Sequence, residues 1–99
     1  MNASEIRSTL DELRHMALHM ASIPEDHRIF AYKSVDPLFL RLEGYLSRHP
    51  ETRASKVLDE IRMNVIAMAR LEETAEEPDA VYAQQVDSLI EELGAILCP

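Results

Sequence analysis

Ninety-nine residues, 46% of them hydrophobic, with two glycines and no tryptophan, give one modest helical core and leave too little chain for a second domain or for a cleft enzyme with its own lid. The net charge of −8 is concentrated: residues 71–99 hold eight carboxylates and no Lys or Arg, while residues 1–70 set ten acids against ten bases. A pI near 4.9 with no basic stripe excludes the electrostatic footprint of nucleic-acid binding, and an acidic surface repels lipid headgroups.

Met1-Asn2-Ala3-Ser4-Glu5 reaches charge before any apolar stretch, and no apolar run approaches membrane-spanning length. The expectation is a cytoplasmic chain with no membrane partner. Cys98, the single cysteine, has no internal disulfide partner, which suits a reducing compartment.

Pro24, Pro37, Pro50 and Pro78 divide the chain into segments of helical period. In the first, Ile6, Leu10, Leu13, Ala17 and Met20 fall on one stripe, and Asn2 followed by Glu5 makes a capping box, predicting a helix over 3–21. Ser22-Ile23-Pro24-Glu25-Asp26 reads as the next helix start. Asp36-Pro37 repeats the signal in mid-segment, so 24–48 is either one kinked helix or two short ones with Asp36 as a cap; the break is the favoured reading. Leu38, Leu42, Tyr45 and Leu46 form the stripe of its second half.

After His49-Pro50 the longest helix is predicted over 51–73, with Ala54, Leu58, Ile61, Val65 and Met68 on its main stripe. Met63, Ile66 and Ala67 fall on the other side, making its middle apolar nearly all round, as in a central helix or one at a subunit interface. The last helix, over 79–97, carries Tyr82, Val86, Leu89, Leu93 and Ile96. The expected fold is all-α: one domain over 1–99, an antiparallel bundle of four helices, or five if Pro37 breaks the second. The apolar surplus on the third helix, with Leu18 and Leu40 off their stripes, exceeds what one small bundle buries and predicts a homodimer.

Glu12-Leu13-Arg14-His15 has the Glu-x-x-His spacing of di-iron bundles, and His19 shares the face of His15. Nothing later supplies the second such element, so Glu12, His15 and His19 are weak metal candidates and a solvated polar face is the plainer reading. No cofactor is expected. His27 and His49 fall near prolines at helix boundaries and read as caps or surface turns. Arg7, Arg14, Arg62 and Arg70 are interspersed with acids, as in ordinary i, i+4 surface pairing. Nucleophile motifs and phosphate-cradling Gly-rich loops are absent, so no enzyme activity is expected.

Glu72, Glu73, Glu76 and Glu77 crowd the predicted end of the third helix, where the macrodipole disfavours acids. Rule-breaking of this kind falls at functional or strained sites, while the plainer reading is that Glu76, Glu77 and Asp79 serve the start of the last helix, with Thr74-x-x-Glu77 as a capping box. Met16, Met20, Met63 and Met68 are core filler by spacing and would also suit a protein-binding groove. The order Ile23-Pro24-Glu25-Asp26, Pro50-Glu51-Thr52, Leu89-Ile90 and Leu93-Gly94 is similar, over those few residues, to quorum-sensing anti-activators. The expected function is a non-catalytic regulator of the immunity, antitoxin, secretion-chaperone or anti-activator type. It would bind a protein, with Glu72, Glu73, Glu76 and Glu77 meeting a basic patch and Met63 and Ile66 at an interface. The alternatives are a metal or small-ligand bundle built on Glu12, His15 and His19, and a structural subunit.

Overall fold

In the computed structural model, residues 1–71 and 77–99 are described. They form four α-helices: α1 (Ala3–Ser22), α2 (Arg28–Arg48), α3 (Thr52–Met68) and α4 (Asp79–Leu97), with a 3₁₀ turn over Glu25–His27 leading into α2. The helices pack compactly around one core that includes Leu13, Met20, Phe39, Leu42, Leu58, Ile61, Val65 and Leu93. Each such Leu, Ile or Phe withdrawn from water contributes about 1.5–3 kcal/mol. No helix among the described residues is long and apolar enough to cross a membrane.

The capping box at the start of α1 is formed: Glu5 N–H donates to Asn2 Oδ1 at 2.8 Å and Asn2 N–H to Glu5 Oε1 at 3.5 Å. At the start of α3, Glu51 plays the equivalent part, its carboxylate accepting from the N–H groups of Arg53 and Ala54. Both ends satisfy orphan helix donors and place negative charge at the positive pole of a helix.

The structure differs from the sequence expectation in α2 and at the end of α3. First, α2 is one helix running through Pro37, not two. Proline in a helix interior removes a hydrogen bond and costs about 3 kcal/mol, yet Val35, Leu38, Phe39 and Leu42 around it are all buried in the same core, and their burial outweighs that cost. Pro37 itself faces solvent, and Asp36, expected as a cap, instead pairs with Arg62 of α3. The start of α2 also moves: the acids after Pro24 lie in the 3₁₀ turn, and the α-helix begins at Arg28.

Second, α3 ends at Met68 rather than 73. Arg70 has a φ of 59°, its N–H donates to the Ala67 carbonyl at 3.1 Å and the Leu71 N–H to the Ile66 carbonyl at 3.2 Å. This is the Schellman arrangement, with arginine where glycine is usual. At the far end, Arg7 of α1 donates to the Cys98 carbonyl at 2.9 Å, and Cys98 is buried against the bundle.

Candidate functional site

The most elaborate polar arrangement among the described residues joins the 3₁₀ turn, α2, the end of α3 and the start of α4. Arg28 at the first position of α2 is only 4% exposed. Its guanidinium makes a two-pronged contact with Asp79, Nη1 to Oδ1 and Nη2 to Oδ2, both at 2.8 Å. It also donates to the carbonyls of Ile23 at 3.2 Å and Met68 at 2.8 Å, the latter an orphan acceptor at the end of α3. Arg70 completes the cluster, bonding Asp79 Oδ1 at 2.9 Å and Glu25 at 3.2 Å.

Two cations thus face two carboxylates, and most of the guanidinium donors find partners, as a buried charge requires. The paired guanidinium of Arg28 holds the Asp79 carboxyl below the usual carboxylate range, against the opposing effect of burial, with the charges of Arg28 and Arg70 adding to the lowering. The same hydrogen bonds raise Arg28 further above its ordinary value. A cluster whose members are committed to one another in this way is a clamp for the fold rather than a reactive centre.

The arginines expected to make i, i+4 pairs along their own helices instead reach across to other helices. Arg14 pairs with Asp87 of α4 at 3.0 Å, and Arg62 of α3 contacts both Asp36 at 3.4 Å and Glu43 at 3.3 Å on α2. The Arg62 guanidinium also lies 4.9 Å from the centre of the buried Phe39 ring. Burial raises the neighbouring Tyr32 phenol above its ordinary pKa, opposed by Arg62 and assisted by Asp36 and Glu43.

Of the acidic candidates, Glu72, Glu73 and Glu76 lie outside the described residues, as does Thr74 of the proposed capping box. Glu77 is exposed, and its N–H donates to the Tyr82 hydroxyl at 3.1 Å. Asp79, counted in the sequence with the acidic end, is spoken for by Arg28 and Arg70.

The four methionines at helical spacing, Met16, Met20, Met63 and Met68, separate. Met20 and Met68 are fully buried, Met16 is half-buried, and Met63 is 68% exposed in the middle of the outer face of α3. Ile66 and Ala67 beside it are half-buried. The apolar surplus is therefore real but dispersed: Leu18, Leu40 and Met63 are all exposed, each on a different helix.

Glu12, His15 and His19 are exposed on α1. The His15 ring nitrogen Nδ1 lies 2.8 Å from the Asp11 carbonyl, which leaves that nitrogen a donor and directs it to its own helix. Among the described residues no group of three or more His, Cys, Asp or Glu side chains converges as a metal cage would need. His27 and His49 flank α2 at its two ends, both exposed, with the His49 ring stacked on Tyr45 at 4.6 Å between centres.

Sequence reasoning missed Arg28 altogether. The signal was present: Arg28 stands seven residues before Val35 and fourteen before Leu42, so the buried stripe of α2, extended by one heptad, ends on a cation. No family model, no curated protein and no solved structure matches this chain.

Proposed function

We propose that this chain is a non-catalytic regulator that acts by binding another protein, and that it works as a homodimer of antiparallel helical bundles. The observation that carries the reading is the outer face of α3, where Met63 stands 68% exposed beside half-buried Ile66. A flexible thioether on an open helix face is suited to packing against another chain. On both sides of Ile66, at i−4 and i+4, Arg62 and Arg70 are engaged with α2 and with the 3₁₀ turn, which holds this face as a preformed surface. Such preorganisation lowers the entropic cost of association.

The antiparallel reading draws on the contacts between α1 and α4, in which Arg7 meets Cys98 and Arg14 meets Asp87, so that advance along one helix is retreat along the other. Glu72, Glu73, Glu76 and Glu77 remain the proposed meeting point for a basic patch on a second protein. The support for this reading is the sequence itself, in which residues 71–99 hold eight carboxylates and no Lys or Arg.

The test is sedimentation of the intact chain at micromolar concentration, beside Met63→Glu and Ile66→Glu. A dimer in the parent that shifts towards monomer in both variants is the expected result, because a carboxylate is costly to bury unpaired. Met63 is open to solvent, so the first variant leaves the monomer fold intact. A monodisperse monomer in the parent would overturn the self-association reading.

A further inference from the structure

The chain is acidic, yet one of its helix faces is basic. Lys33, Arg41 and Arg48 stand on the solvent face of α2, at steps of eight and seven residues that bring them to one side of the helix. All three are exposed, and none has a carboxylate within ion-pair distance among the described residues. This sets them apart from Arg14, Arg28, Arg53, Arg62 and Arg70, each of which has an acidic partner.

The acids of α2 lie elsewhere. Asp36 and Glu43 point round the helix to Arg62, which holds both. Where α2 meets the start of α1, Arg41 shares a shallow groove with Glu5, Ser8 and Thr9, and the Glu5 carboxylate is occupied in capping its own helix.

On the same basic face stand the two most exposed apolar side chains of α2, Phe30 at 65% and Leu40 at 56%. Lys33 Nζ lies 5.7 Å from the centre of the Phe30 ring, which keeps cation and aromatic together as one surface. Phe30 also borders a hollow lined by Met16, Ile23 and Ala31 together with His19, His27 and Ser34. Lys33 and Arg48 are fifteen residues apart, roughly 22 Å along the helix, and Phe30 and Leu40 roughly 15 Å. Those are the dimensions of four turns of a docked helix.

We infer that the outer face of α2, with Phe30 and Leu40 as apolar anchors and Lys33, Arg41 and Arg48 as the charged frame, is a docking surface for an acidic amphipathic helix of a partner protein. The inference rests on the protein-binding function proposed above and names the chemistry of one partner. Charge complementarity selects the occupant. Three cations on a molecule of net charge −8 are too few to hold a phosphodiester chain or a lipid surface against the repulsion of the whole, but they match a segment whose own acids number three or four. Apolar anchors framed by charge are what the apolar and charged faces of an amphipathic helix complement.

The probe is a labelled sixteen-residue peptide with leucine at every third or fourth position and glutamate between, titrated against the full chain by fluorescence anisotropy. A second peptide carries glutamine for glutamate. The glutamate peptide is expected to bind roughly tenfold more tightly than the glutamine peptide, and roughly tenfold more tightly in 50 mM than in 300 mM salt, the scale of three exposed charge pairs. The triple variant Lys33→Glu/Arg41→Glu/Arg48→Glu is expected to lose the preference for glutamate, and Phe30→Ser/Leu40→Ser to weaken both peptides. All five positions are solvent-facing, and an unchanged circular dichroism spectrum confirms that the variants fold.

Equal affinity for the two peptides, or an unchanged preference in the triple variant, would overturn the inference. So would binding of the parent, but not the triple variant, to phosphatidylserine vesicles in place of the peptide, which would make the occupant a membrane. Salt-sensitive self-association abolished by the same triple variant would make it the acidic end of a second copy. Failure of peptide binding with an intact Met63-dependent dimer rejects this surface alone; peptide binding by a chain that is monomeric rejects the dimer alone.

Discussion

The Arg28 clamp makes a prediction in which the two partners of one ion pair are unequal. Replacing Asp79 by Asn keeps the shape of the side chain but leaves the Arg28 guanidinium, whose side chain is 5% exposed, without a countercharge. Removing one partner of a buried pair costs about 3–5 kcal/mol, most of it the stranded charge. Arg28→Met is milder. It keeps the apolar stem in place, and the Asp79 carboxylate, 29% exposed, still has Arg70 at 2.9 Å. The loss there is four charged hydrogen bonds, two to Asp79 and two to the Ile23 and Met68 carbonyls, partly replaced by water, or about 1–2 kcal/mol.

For a domain of this length each kcal/mol moves the melting temperature by about 4–8 °C, so Asp79→Asn is expected to melt about 12 °C or more below the parent and Arg28→Met about half as far. The double variant Arg28→Met/Asp79→Asn is expected to be more stable than Asp79→Asn, because no orphan cation remains. Urea denaturation followed by circular dichroism at pH 7 and fixed protein concentration reads all four proteins. The pH dependence follows the direction of the Asp79 shift. Its folded pKa is lowered, so its contribution is complete above the unfolded value of about 4 and is lost as pH falls through the folded value. The parent should lose this increment on acidification and Asp79→Asn should not. Additive losses, or an Arg28→Met variant weaker than Asp79→Asn, would refute the reasoning.

Pro37→Ala restores an N–H to the interior of α2 at an exposed position and is expected to stabilise the protein by about 1–3 kcal/mol, read in the same denaturation assay. Glu72→Lys/Glu73→Lys is expected to weaken association with a basic partner more at low salt than at high salt while leaving the denaturation midpoint nearly unchanged, since α3 ends at Met68 and its dipole fades within a turn.

The periodicity of apolar residues located all four helices, most sharply where the buried stripe is long and unbroken: Ile6, Leu10, Leu13, Ala17 and Met20 on α1, and Ala54, Leu58, Ile61, Val65 and Met68 on α3, are all buried as their spacing implies, whereas on α4 only Val86 and Leu93 of the expected stripe are buried, with Ile90 beside them and Tyr82, Leu89 and Ile96 half-buried. What the pattern did not carry was the joining of the stripes. Arg28 and Asp79 extend the 35–42 and 86–93 core positions by one heptad each, but a charged residue on an apolar stripe reads equally as the place where burial stops. Only the approach of the two helices, 51 residues apart in sequence, makes it a buried pair. Pro37 misled for the opposite reason: its local preference is strong, and the packing of Val35 and Phe39 on either side is stronger. The basic face of α2 escaped notice because Lys33, Arg41 and Arg48 are separated by a proline, a glycine and two acids, and only after Asp36 and Glu43 turn to Arg62 does the remaining surface carry a single sign.

The stop of α3 at Arg70 gives one boundary of this fold a conditional character. A left-handed arginine is disfavoured by about 1–2 kcal/mol relative to its right-handed form, and the groups that hold it there, Glu25 and Asp79, lie 45 and 9 residues away. In a chain where those contacts have not formed, residues beyond Met68 are under no such instruction and are free to prolong the helix. The length of α3 is therefore coupled to the docking of the 3₁₀ turn and α4, whose carboxylates Glu25 and Asp79 hold Arg70 in place beside the local bonds to Ala67 and Ile66.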